Sequence, residues 1–187
     1  MKSKKISWRD LKHSIGKNNY KELKLEIKDI VKYVLITEAI GAILLMIDFI
    51  PRFGWGYGIW YSIFHSISAF TNAGLTLFAN YSFYWAQGST YLQVVVILLM
   101  TIGCIGIIPL IDIITSREKG FKKLELQSKI VIIYSFVLII VSVLGLKLME
   151  SNITWMNALF MGTSVRSAGM YTMYVSQMGN ISKVFML

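Results

Sequence analysis

The sequence predicts an all-α integral membrane protein, built from a repeated unit of span, re-entrant half-helix with a glycine-bearing strand, and span. Three observations predict it. Of 187 residues, 55% are hydrophobic and only 16% charged, against about 25% charged in soluble domains. Apolar runs at 31–50, 91–114 and 130–149 each reach the roughly 20 residues that cross a hydrocarbon core. Two further apolar stretches, too short to cross, each run into a glycine, Gly74 and Gly169.

Charge sets the orientation. The net charge is +9, and ten of the 19 basic residues fall in residues 1–32 with five more in 116–129. Two spans separate these clusters, so both lie on one side, which the positive-inside rule makes cytoplasmic. Such topogenic clustering argues against nucleic acid as a partner and for a multi-pass protein of the cell (plasma) membrane. Residues 1–29 form a cytoplasmic basic segment that turns helical toward its end, where Leu23, Ile27, Ile30, Val31 and Val34 recur at helical spacing. Residues 116–129 form a cytoplasmic loop. No apolar core of a secretion signal precedes Val31.

The first pore repeat occupies 30–115, with spans at 31–50 and 91–114 around a half-helix at 60–70 and a strand at 71–75. A helix of that length is roughly 16 Å long, about half the hydrocarbon thickness, so it enters without crossing. The backbone that returns from it must be buried in protein or line a cavity. A second repeat, truncated, occupies 130–187: span 130–149, half-helix 155–165, strand 166–170, and the start of a span at 181–187. Aligning Gly74 with Gly169 also aligns Ala73 with Ala168 and Trp60 with Trp155, which marks an internal repeat.

A potassium ion leaves water only where a ring of oxygens replaces its hydration shell, and extended backbone supplies these as carbonyls. Glycine permits the conformations that turn successive carbonyls to one axis, and the negative end of each half-helix dipole favours a cation there. The candidate ion-binding strands are Thr71, Asn72, Ala73, Gly74 and Leu75, and Arg166, Ser167, Ala168, Gly169 and Met170. Arg166 is expected to bond the last carbonyls of its own half-helix and so support the filter. Glu38, ionisable inside a span, is expected to be paired in a supporting role. Gly103, Gly106 and Pro109 permit close packing and a bend, and Gly145→Ser is expected to spare ion affinity and selectivity.

Enzyme chemistry is not expected. Glu38, Asp48, Asp112 and Glu150 are scattered, and His65, Ser66 and Ser68 have no acid beside them, so helix packing is their expected role. The single cysteine, Cys104, allows neither an internal disulfide nor a cysteine metal site. No cofactor is expected, and no metal beyond a transported K+.

Residues 64–75, FHSISAFTNAGL, resemble the second filter region of the Trk/Ktr/HKT superfamily of potassium transporters, usually FHSxSAFNNAGF. Ser164 to Met170, SVRSAGM, resembles the third, usually STRTAGF, and 101–109, TIGCIGIIP, is similar to LGGLGFPV of the intervening span. Lys5 to Arg9 resembles the cytoplasmic link into the second repeat. Here Thr71 stands for the first Asn, Leu75 and Met170 for aromatic residues, Ser167 for Thr and Cys104 for Gly. The resemblance implies the membrane subunit of a bacterial potassium-uptake system with four repeats, of which this chain holds the second and most of the third. It implies the remaining repeats of the same subunit, a homodimer, and cytoplasmic nucleotide-binding regulatory subunits as partners. By itself the chain is expected to be an inactive fragment; a non-conducting membrane anchor or assembly subunit is the alternative.

Overall fold

The computed structural model describes residues 17–78, 83–106, 109–110, 112–113, 124–174, 176 and 178–185. Among them the chain is helical and contains no β-strand. Two units are distinguished, Met1–Ile36 and Thr37–Leu187. In the first, the described residues are the N-terminal part of helix α1. The expected cytoplasmic loop 116–129 and the first 16 residues lie largely or wholly outside the described residues.

Helix α1 runs Lys17–Phe70 with a break at Gly54, whose φ of 77° and ψ of 171° leave the helical region. Pro51 prepares the break, because its ring removes a backbone donor and crowds the carbonyl four residues back. At Gly58 a Cβ would come within 2.7 Å of the Ile50 Cα, so only glycine allows the two arms to meet there. The second arm returns alongside the first: Phe53 and Tyr61 rings lie 5.2 Å apart, and Ser66 Oγ donates to Glu38 O at 2.7 Å. The second arm thus folds back on the first instead of continuing it.

A short 3₁₀ turn, Tyr84–Gly88, leads into helix α2, Thr90–Ile105, whose N-terminal Leu92 amide is capped by Ser89 Oγ. The apolar run 91–114 does not form one helix. It is interrupted at Gly106 (φ 85°, ψ 163°), with helical residues again at 109–110 and 112–113. Glycine enters that conformation without steric cost, and Pro109 cannot supply an amide to continue the ladder. Helix α3 is Leu126–Met149, helix α4 is Trp155–Ser167 with Thr154 as its N-cap, and helix α5 is Asn180–Phe185.

Helix α4 packs against both α2 and α3, and Gly162 allows close approach, since a Cβ there would meet the Val143 amide nitrogen at 3.1 Å. The core joins the pieces: Leu45 and Phe49 of α1, Leu92, Val96 and Met100 of α2, and Phe160 of α4 are buried together. The stretch Ile27–Phe70 and helix α3 are long and apolar enough to cross a membrane. Along α3, Ile130, Ile133, Tyr134, Ile140 and Leu144 are exposed, an apolar surface too extensive for water and suited to hydrocarbon.

Candidate functional site

Each half-helix ends in a tight turn fixed by its own serine. After Phe70, Thr71 N donates to Ile67 O at 2.9 Å and Ala73 N to Ser68 O at 3.0 Å. Two residues then take positive φ, Asn72 at 54° and Gly74 at 70°. Ser68 Oγ donates to Leu75 O at 2.7 Å and accepts from Leu75 N at 3.0 Å. Leu77 N donates to His65 Nε2 at 3.3 Å, while His65 Nδ1 lies 2.7 Å from Tyr61 O. Those partners require a neutral ring with its proton on Nδ1. The ring is fully buried and stacks on Phe78 with centroids 4.8 Å apart. Packing alone, the role expected for His65 and Ser68, is therefore incomplete: both hold the chain that returns from the half-helix, as buried polar groups on an apolar helix must find partners.

The second turn repeats the device with one residue fewer. Ala168 N and Gly169 N both donate to Ser164 O, at 2.8 and 2.9 Å, Gly169 has φ 68°, and Ser164 Oγ donates to Met170 O. The brace closes six residues here and seven in the first turn. Asn72, in a left-handed conformation that asparagine tolerates better than most residues, takes up the extra residue. The equal spacing of Trp60 to Gly74 and Trp155 to Gly169 conceals this difference. Helix α4 also extends through Ser167, so Arg166 and Ser167 end a helix and do not belong to a strand.

The two turns touch. A Cβ on Gly74 would overlap the Ala168 carbonyl oxygen, whereas one on Gly169 would meet nothing within 4 Å among the described residues. From behind, α2 closes on the first turn through Gly103, where a Cβ would overlap Phe70 O and come within 3.0 Å of Asn72 Nδ2. Of the sequence-predicted residues, Gly74 is thus brought against Ala168 and Gly169.

Arg166 points elsewhere. The expected partners were the last carbonyls of its own helix; its guanidinium instead donates to Ser135 O at 2.8 Å, to Ser135 Oγ at 3.1 Å, and to Cys104 Sγ. It ties the C-terminal end of α4 to α3 and to the end of α2. Glu38 contributes its backbone carbonyl to Ser66, and among the described residues its carboxylate has no hydrogen-bond partner. No cluster of three or more His, Cys, Asp or Glu that could hold a metal occurs among the described residues.

Residues 3–187 match the family TrkH, described as cation transport protein. The chain is 36% identical over 161 residues to the potassium/sodium uptake protein NtpJ of Enterococcus hirae, covering 81% of this chain and 35% of that protein. It is 30% identical over 177 residues to the Ktr system potassium uptake protein B of Vibrio alginolyticus, covering 89% of this chain and 39% of that protein. The protein of the same name from Bacillus subtilis is 31% identical over 124 residues, 66% of this chain and 27% of that protein. The chain thus spans less than two-fifths of the length of these relatives. With the match extending over nearly all of it, the chain belongs to the TrkH cation transport protein family, a family of ion transporters and not of enzymes.

Proposed function

We propose that this chain supplies two neighbouring walls of a potassium-selective path across the cell membrane, as part of a Trk/Ktr-type uptake subunit. The pore repeats are 30–115 and 130–187, and the filter residues are Thr71 to Leu75 and Ala168 to Met170, with Arg166 as a support from behind. The observation that carries the proposal is the apposition of Gly74 to the Ala168 carbonyl. A dehydrated K+ needs a closed ring of backbone oxygens, and two glycine turns in contact are what adjoining quadrants of such a ring require.

Two turns cannot close that ring, so the activity belongs to an assembly with the remaining repeats of the subunit. By resemblance that assembly is a homodimer on cytoplasmic nucleotide-binding subunits. The test exchanges this chain for the matching segment of the Vibrio alginolyticus protein and measures rubidium uptake, with and without sodium competition, in a potassium-uptake-deficient strain. The exchanged protein is expected to support growth at low potassium, and the chain expressed alone is not. Gly74→Ser and Gly169→Ser are expected to weaken affinity and discrimination against sodium; unchanged values in both would refute the proposal.

A further inference from the structure

The stretch between the first glycine turn and α2 is, in sequence, only an outward-facing connection. In the structure its residues 83–88 reach across to the second glycine turn. Phe83 N donates to Tyr171 O at 2.6 Å, Gln87 Nε2 donates to Thr172 O, and the Tyr84 and Tyr174 rings lie 4.6 Å apart. Gln87 and Thr172 are 85 residues apart in the chain, so the second turn is held by the preceding repeat.

The reaching segment is itself fixed. Gln93, 1% exposed in the first turn of α2, donates through Nε2 to Ala86 O at 3.0 Å and Gln87 O at 3.1 Å. At the other side Ser89 Oγ donates to Asp48 Oδ1 at 3.2 Å, Asp48 pairs with Arg52 at 2.8 Å, and the Arg52 guanidinium lies 5.4 Å from the Trp85 ring centre. A rotamer-rich glutamine is thereby presented to Thr172 with its backbone already ordered, which lowers the entropic cost of the bond.

Thr172 follows Gly169 by three residues. The second turn is held at its inner end by Ser164 on Met170 O and at its outer end by Gln87 on Thr172 O. We infer that Gln87 is a positioning residue for the second filter turn, acting through Thr172 and aligned by Gln93, so that the ion selectivity of one repeat depends on a side chain of another. This rests on the filter proposal above.

The test uses Gln87→Glu, which keeps the size and replaces the donor with a carboxylate facing a carbonyl. Protonation restores a donor, and partial burial beside a carbonyl raises the carboxyl's pKa into a range that external acid reaches. In the 187-residue chain in lipid nanodiscs, the Phe83 amide of Gln87→Glu is expected to exchange faster than wild type at neutral pH. At mildly acidic pH it should approach wild type measured at that pH. In the exchanged Vibrio alginolyticus protein, rubidium-over-sodium discrimination is expected to fall roughly three- to tenfold at neutral pH, as loss of one hydrogen bond gives, and to recover with acid. Gln93→Leu should likewise speed exchange and lower discrimination, with no recovery in acid. Wild-type behaviour of Gln87→Glu in both assays would refute the inference. Faster exchange with unmoved discrimination, while Gly169→Ser abolishes discrimination, would reduce Gln87 to a structural strut and overturn the positioning role. Unmoved discrimination in the glycine variants as well would fail the filter proposal and this inference with it.

Discussion

The Ser68 hydroxyl satisfies both backbone groups of Leu75, donating to its carbonyl at 2.7 Å and accepting from its amide at 3.0 Å. A single buried hydroxyl therefore closes the first glycine turn. Ser164 does half of this for the second turn, bonding only the Met170 carbonyl among the described contacts.

Removing either hydroxyl should loosen its turn. Ser68→Ala leaves a donor and an acceptor unpaired, and each such group costs ~1–3 kcal/mol when buried; Ser164→Ala leaves one. Thermal unfolding of the purified chain in detergent is expected to drop for both, and further for Ser68→Ala. Equal melting of Ser68→Ala and wild type would mean the bond does not hold the turn.

Much of this arrangement was legible in the sequence because it rests on length and periodicity. The apolar runs 31–50 and 130–149, long enough for membrane-crossing helices, follow from hydropathy and helix rise alone, whereas the fold-back at Pro51 and Gly54 does not. Gly74 and Gly169 stand out because an apolar stretch must end in something that turns. The bonds that hold the turns were not legible. Ser68, Ser164 and His65 look like ordinary small or packed residues until their partners, six to twelve residues on, are in place. The clue available was that a buried imidazole and hydroxyl on an apolar helix need partners. The direction of Arg166 could not be read either, because Ser135 and Cys104 lie 31 and 62 residues away.

Glycines divide into packing sites and open sites. At Gly103 an added methyl would overlap the Phe70 carbonyl, a backbone atom that cannot yield, so Gly103→Ala should destabilise by about 3 kcal/mol or more. At Gly88 nothing lies within 4 Å among the described residues, and Gly88→Ala should melt with wild type. Gly145 is no inert control, since its Cβ would run into the Phe185 ring of α5. Equal thermal stability of Gly103→Ala and Gly88→Ala would overturn this assignment.

The end of α3 carries a pH-dependent link to α5. Glu150 Oε1 accepts from Gly179 N at 2.6 Å and from Ser182 Oγ at 2.8 Å. These bonds, the Gly179 amide first, hold its carboxyl below the usual carboxylate range. A depressed folded pKa gives stability that is complete above the unfolded value and lost as pH falls through the folded one. Protection of the Gly179 amide is therefore expected to be constant near neutrality and to fail only below the ordinary carboxylate range. Glu150→Gln should lower that protection at neutral pH and flatten the acid response. A wild-type profile in the variant would show that the carboxylate is not the link.

Orientation can be measured with single cysteines at Ser3, Ser82 and Ser116, all outside the described residues. The background is Cys104→Ser, which keeps an acceptor for the Arg166 guanidinium. From the charge clusters, Ser3 and Ser116 are expected in the cytoplasm and Ser82 outside. An impermeant thiol reagent applied to intact cells should label only the Ser82 position, and labelling at Ser116 would reverse the topology.

The two filter glycines should not respond equally to a methyl group. Both have positive φ, 70° at Gly74 and 68° at Gly169, so alanine at either carries ~1–2 kcal/mol of left-handed strain. At Gly169 nothing within this chain adds to it, because among the described residues the methyl meets no atom within 4 Å. At Gly74 the methyl also displaces the Ala168 carbonyl, so one substitution disturbs both turns. In the exchanged Vibrio alginolyticus protein, Gly169→Ala is expected to raise the rubidium concentration for half-maximal uptake roughly five- to thirtyfold, the equivalent of that strain. Gly74→Ala should raise it further and lose sodium discrimination as well, at matched membrane abundance. Uptake kinetics of the two variants decide the matter: if Gly169→Ala is as damaging as Gly74→Ala, the apposition of Gly74 to Ala168 is not what organises the ion path.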